Sequence, residues 1–141
     1  GTGGQRRGKM MEVLPAHLEA LPVVDTDEAQ RQFGMDTDIL FKLVQHFLKS
    51  SAVVIEDMTI CLREGDYTAL ARDAHKIKGS ALYVAAKQLS ACGAALEKHA
   101  KAAEQENRSL DRTDLERADQ LIAQVQTAFE RVKQFNFSSE V

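Results

Sequence analysis

Apolar residues recur at helical spacing along most of this chain. After Asp36, the residues Leu40, Leu43, Val44, Phe47 and Leu48 follow the i, i+3, i+4 rhythm, and Ser51, Val54, Ile55, Met58, Cys61 and Leu62 continue it. Asp36 is a capping type and Gly65 a stop, so the pattern predicts a helix over about 37–64. The run Val53-Val54-Ile55 has strand propensity, but it lies in phase with the helical stripe and no turn signal flanks it. Asp66 caps the next periodic stretch, "YTALARDAHKIKGSALYV", which breaks near Ala85. Leu89, Cys92 and Leu96 form the stripe of the following helix. The connection "NRSLDRTD" then leads to a last helix with Leu115, Ala118, Ile122, Val125, Phe129 and Val132 three and four apart.

Ahead of these long patterns, "MEVLPAHLEALP" holds a short amphipathic piece interrupted by Pro15 and closed by Pro22. Asp25 and Gly34 bound a second short helix at about 26–33. Four long amphipathic patterns with short links predict an all-α fold, an antiparallel four-helix bundle with the short N-terminal helices packed at one end. The opening "GTGGQRRGK" has no apolar period. Residues 1–10 are therefore expected to be a disordered arm or leader, 11–137 a single bundle domain, and 138–141 a tail.

Composition narrows the partners. With 141 residues the chain is the size of one domain, and 44% hydrophobic with 28% charged residues is ordinary for a globular protein. A net charge of −3, with Lys and Arg dispersed, speaks against a nucleic-acid binder that relies on a basic field. No apolar run approaches the ~20 residues that cross a bilayer, so no membrane partner is expected. Cys61 and Cys92 lie in apolar helical patterns without metal-ligand or disulfide spacing, and buried reduced thiols are expected. A cytoplasmic location follows from that usage, with nuclear access if the source is eukaryotic.

The candidate chemistry sits in "ARDAHKIKGSALYVAAKQL", where one helix carries His75, Lys78 and Gly79. Glycine costs a helix interior about 1 kcal/mol relative to alanine, so its place there asks for a reason. At 100° per residue, Leu70, Ala74, Ile77, Ala81 and Val84 gather on one side, the core side. Lys78, Gly79 and Leu82 instead fall within about 60° of His75, which points away from the core. An unprotonated, solvated imidazole is a nucleophile near neutral pH. If it attacks a phosphoryl group, a lysine one turn away neutralises part of the added charge. The missing side chain at Gly79 then gives a bulky partner clearance. The competing reading is a solvated surface histidine with a chance lysine neighbour.

Other chemistries lack their patterns. His17, His46 and His99 raise the idea of a metal, but neither HExxH nor Glu-x-x-His occurs, so no metal site is expected. There is no Walker-type phosphate loop, which speaks against an autonomous kinase. No Ser-His-Asp or Cys-His arrangement can be argued from spacing.

The segment "AHKIKGSA", with His75, Lys78, Gly79 and Ser80, resembles the signature of the histidine-phosphotransfer (HPt) domains of multistep phosphorelays. "DILFKLVQHFLKSS" and "REGDYTALARDAH" before it, and "LSACGAALE" after it, match the family in order and spacing over roughly residues 24–102. The resemblance implies a four-helix bundle, in agreement with the periodicity. It implies reversible acceptance of a phosphoryl group from a receiver-domain aspartate, and donation to another receiver. The implied partners are receiver domains of response regulators or hybrid histidine kinases. Their Mg²⁺ would be the receiver's, and this chain would need no cofactor. By resemblance His75 is the phospho-acceptor through Nε2, Lys78 the electrostatic partner of the phosphate and Gly79 the clearance residue. Ser80 is left to local packing or hydrogen bonding.

Two positions depart from the family pattern. Many members have glycine where Ala85 stands, and alanine suggests a different turn or a longer helix. Many have glutamine at the position of Glu97. A carboxylate there can orient the imidazole by accepting from Nδ1–H, yet it would also repel a phosphoryl group. The competing reading makes Glu97 a surface residue paired with Lys101 at i+4. For docking, Leu82, Met35, Phe33 and Leu18 are the apolar candidates outside the core or at its edge, although Leu18 and Phe33 also suit a cap on the bundle end. The alternative function is a helical module that docks receivers without phosphotransfer.

Overall fold

A computed structural model describes residues 14–106 and 111–137. The expected arm at 1–10 and the tail at 138–141 lie outside the described residues. Most of the helix starts are set by a capping aspartate. The first, α1 (Ala16–Glu19), is the short piece between the two prolines. In α2 (Thr26–Phe33) the Asp25 carboxylate accepts from Glu28 N at 3.0 Å, and Gly34 closes the helix at φ 66°. Asp36 caps α3 (Thr37–Glu64) through Ile39 N at 2.9 Å, and Gly65 ends it at φ 74°. Asp66 starts α4 (Tyr67–Tyr83) by accepting from Ala69 N at 3.0 Å. Two more helices follow, α5 (Lys87–Glu106) and α6 (Arg112–Lys133). The last opens on a reciprocal capping box between Asp111 and Asp114, so part of "NRSLDRTD" is helix rather than connection.

The four long helices form a closed ring of neighbours: α3 packs on α4, α4 on α5, α5 on α6, and α6 returns to α3. Short links at 65–66 and 84–86 make the successive helices antiparallel. Their core is a continuous cluster that includes Leu40, Val44, Met58, Leu70, Ile77, Leu89, Leu96 and Val125. Leu115 departs from its expected stripe and is exposed, because burial of apolar residues along α6 begins only at Ala118. Both cysteines are free and buried, and desolvation pushes each thiol up to about 12.

The short helices close one end of the bundle. Arg131 of α6 holds Glu19 of α1 through two nitrogens, at 2.8 and 3.1 Å, and also reaches Gln88 of α5 at 3.1 Å. Gln88 in turn donates to the carbonyl of Leu18 at 3.2 Å. Lys87 pairs with Glu28 at the foot of α2. At 5% and 7% exposure Leu18 and Met35 both belong to the core and are not surface residues.

The turn between α4 and α5 resolves the question of Ala85. The helix is not lengthened; it stops at Tyr83, and Ala85 takes φ 61°. That is left-handed backbone, which costs a residue with a Cβ roughly 1–2 kcal/mol. Its carbonyl accepts from Asp25 N at 2.8 Å, tying the turn to the start of α2.

Candidate functional site

Helix α4 sorts its residues into two faces. Ala74, Ile77 and Ala81 are buried in the bundle, while the His75 side chain is 66% exposed. Lys78 stands one turn further along, half-buried, and Gly79 is exposed. A Cβ built on Gly79 would meet nothing within 4 Å. An alanine there would therefore not crowd the imidazole within this chain, and any clearance concerns an incoming molecule.

The carboxylate that completes the site comes from α5. Glu97 Oε2 lies 2.9 Å from His75 Nδ1, and Oε1 lies 2.8 Å from Lys78 Nζ. Lys101, one turn along α5, reaches Oε2 at 3.0 Å. Glu97 is only 5% exposed, so the picture of a surface residue paired with Lys101 alone is corrected: the Lys101 pair exists, and His75 and Lys78 share the same carboxylate. The ammonium of Lys78 holds that carboxyl down at about 2 against the upward push of burial, with Lys101 and His75 adding to the effect. An ionised carboxylate can only accept hydrogen bonds. Nδ1 of a neutral His75 therefore carries the hydrogen, and the Nε2 lone pair is left free.

Sequence reasoning did not single out two residues of α5 that touch this arrangement. The hydroxyl of Ser90 donates to the Lys78 carbonyl at 2.9 Å, whereas Ser80 borders a groove. Gly93 packs its bare Cα against the α4 backbone. An interior glycine in "SACGAALE" was the available signal, since a helix carries one at a cost unless something must approach closely.

Towards the C-terminal end of α4 the surface carries exposed apolar side chains. Leu82 is 51% exposed and Tyr83 60%, and the Tyr83 ring lies 6.1 Å from that of the exposed Phe33. A groove of about 390 Å³ runs beside Gly79 between α3 and α4, lined by Leu43, His46, Phe47, Ser80 and Tyr83. Of the four apolar docking candidates, Leu82 and Phe33 face solvent. Met35 and Leu18 do not, because Asp36 turns the chain into α3 just after one and the Gln88 and Arg131 network covers the other.

Of the remaining histidines, His46 lines the groove beside Gly79, while His99 and His17 belong to other parts of the fold. His99 Nε2 lies 3.2 Å from the carbonyl of Asp114, and His17 stands on α1. On the opposite side of α4, Asp73 faces α3, where Cys61 donates to Asp57 at 3.3 Å and lies 3.8 Å from Asp73. The donor atoms of Asp57, Cys61 and Asp73 lie within 4.8 Å of one another, a grouping that spacing along the sequence did not show. Its hydrogen bonds run among its own members.

Among the described residues no helix is long and apolar enough to cross a membrane. Neither the curated proteins nor the solved structures include a match to this chain. The family model of the Hpt domain matches residues 42–134, which takes in α4 with His75, α5 with Glu97, all of α6 and most of α3. Hpt domains are histidine-containing phosphotransfer modules that work with receiver domains in phosphorelays. Matched over most of its length, with its helices closed into the expected ring, this chain belongs to the Hpt domain family.

Proposed function

We propose that this protein is a phosphorelay intermediate in which His75 accepts a phosphoryl group from a receiver aspartate and passes it to a second receiver. The observation that carries the reading is the Glu97–His75 contact at 2.9 Å, which leaves Nε2 of an exposed ring as the free nucleophile. In the accepting step the Nε2 lone pair forms the N–P bond as the P–O bond to the aspartate breaks. The aspartate leaves as a carboxylate. The ring, still protonated at Nδ1, becomes a phosphorylated imidazolium, and the Glu97 carboxylate faces the charge it gains. Lys78 has three N–H donors, so its ammonium can keep Glu97 and also meet a phosphoryl oxygen. Donation to the next receiver is the reverse of these bond changes.

Gly79 leaves room for the incoming receiver, and Leu82 with Phe33 supplies apolar contact around the histidine. Mg²⁺ is assigned to the receiver, and no cofactor to this chain. The deciding experiment incubates the protein with a phosphorylated receiver and looks for acid-labile, base-stable label. Label on the native chain and none on a folded His75→Gln variant supports the reading. A native chain that binds the receiver without acquiring label would make it a docking module. In the same assay Leu82→Asp should weaken receiver binding by at least about 1 kcal/mol, and unchanged affinity would place docking elsewhere.

A further inference from the structure

The contact between α4 and α5 is the most extensive between any two described helices, and at its centre lies a glycine. Gly93 is in the middle of α5, and no positive φ calls for it. The reason is proximity. A Cβ at this position would stand 3.1 Å from the Lys78 nitrogen, 3.2 Å from the Ala74 carbonyl oxygen and 3.4 Å from the Lys78 Cα. All three are backbone atoms of α4, on the residue before His75 and on Lys78 itself. Backbone in a helix cannot swing aside as a side chain can, so a methyl group here would move the helices apart by a few tenths of an ångström.

Ser90, Gly93 and Glu97 are spaced i, i+3, i+7 and share one face of α5. Along that face Ser90 fixes the register, with its hydroxyl 2.9 Å from the Lys78 carbonyl. Gly93 fixes the separation. Glu97, one turn beyond, then places one oxygen 2.9 Å from His75 Nδ1 and the other 2.8 Å from Lys78 Nζ. On a more distant helix a glutamate that rotated to keep one of these contacts would lengthen the other, because its two oxygens are rigidly joined.

We propose that Gly93 and Ser90 are positioning residues for the phosphotransfer site, holding α5 at the distance and register from α4 at which Glu97 reaches His75 and Lys78 together. The proposal rests on His75 as the phospho-acceptor, but its test does not. Long-range ¹H–¹⁵N correlation spectra of the 141-residue chain, at a pH where His75 is neutral, report which ring nitrogen carries the hydrogen. The native protein should show Nδ1–H alone. Gly93→Ala should give a mixture of tautomers and slow phosphoryl acceptance about tenfold, as expected for a misplaced reacting group. Ser90→Ala should shift the spectrum the same way by less. Leu89→Val, a fully buried change on the same helix that spares these contacts, should lower Tm and leave the tautomer unchanged.

A Gly93→Ala protein that keeps the native Nδ1–H pattern overturns the proposal, as does a Leu89→Val protein that loses it equally. If Gly93→Ala does not fold, Ser90→Ala decides, and an unaltered spectrum there is fatal. Failure of the native chain to take up label would sink the phosphorelay reading alone, since the tautomer measurement needs no receiver.

Discussion

On opposite sides of helix α4 two buried carboxylates, its own Asp73 and Glu97 of α5, have opposite fates. Glu97 is 5% exposed and Asp73 8%, so burial alone would push both upward in pKa. Glu97 is instead drawn down to about 2, because Lys78, Lys101 and His75 all donate to it. Asp73 is pushed up to about 6 by its burial and by the neighbouring Asp57, an effect that Lys76 and the hydrogen bond from Cys61 oppose only in part. Asp57 is lowered in turn by the hydrogen bond from Asp73, which leaves the pair sharing a proton. Two acids at nearly equal depth therefore differ because of what surrounds them. One is a fixed negative charge ready to face an imidazolium, while the other gives up part of its charge.

Neutral isosteres test that contrast most directly. Glu97→Gln should lower stability by about 2 kcal/mol in urea titrations at pH 7. That lies below the usual loss for a broken buried pair, because the lysine ends remain in contact with water. Asp73→Asn should raise stability, by up to about 1 kcal/mol, since an amide can donate to Asp57 without repelling it. Equal losses in the two variants would show that both carboxylates are simply structural. Catalysis should discriminate between the two sides of α4 as well. Lys78→Ala removes the ammonium 2.8 Å from Glu97 and should slow phosphoryl transfer about tenfold, a loss near 1.4 kcal/mol. Lys76→Ala, on the Asp73 side, should leave the rate unchanged. If both lysines matter equally, Lys78 acts through long-range field alone.

How much of this was legible in the sequence depends on whether a feature is local. Caps at Asp25, Asp36 and Asp66 and stops at Gly34 and Gly65 are made by residues adjacent to the helices they bound, and the observed ends agree with the reading. The two faces of α4 follow from its own periodicity, which left His75 outside the core. Features that need two helices were harder. Glu97 is buried only by the packing of α5 on α4, where Gly93 lies against the α4 backbone, a pairing that the sequence of one helix does not show. Asp73 meets Asp57 only through the register of α4 on α3, which no spacing along the chain encodes. Met35 reads as a surface residue because it stands in the link between two helices, where no period shows which side is covered. The burial of Leu18 agrees with its reading as a cap on the bundle end.

The pH dependence of folding should carry both signatures, in separate windows. The folded Asp73 carboxyl titrates near 6 and the unfolded one near 3.8, so the native state holds the extra proton between these values. Its contribution is fully present below the unfolded value and is lost as pH rises through about 6. The opposite shift of Asp57, lowered by the hydrogen bond from Asp73, offsets part of this. Glu97 has the reverse sign. Its stabilisation is present above the unfolded value of 4.5 and disappears as pH falls through about 2. Stability curves should therefore lose slope in the upper window for Asp73→Asn and in the lower window for Glu97→Gln. A single variant that flattened both windows would mean the two sites titrate as one network through α4.

The smallest expected effect concerns Lys101, and it shows which cation sustains the buried Glu97. Its Nζ lies 3.0 Å from Oε2, the oxygen that also faces His75, but its side chain is 56% exposed. Glu97 precedes Lys101 by four residues on one helix, the favourable order for such a pair. Exposure and side-chain entropy keep the gain small, and Lys101→Ala should lower stability by about 0.4 kcal/mol at low salt. Raising the ionic strength should erase most of that difference, since salt screens a solvated ammonium far more than a buried contact. Lys78 is only 38% exposed and holds the other oxygen, so its alanine variant should retain more of its stability loss in the same salt series. Should Lys101→Ala prove as damaging as Glu97→Gln, and insensitive to salt, the support would come from within α5 rather than across the helix pair. The contrast with Asp73 would then rest on a local ion pair instead of on the phosphotransfer site.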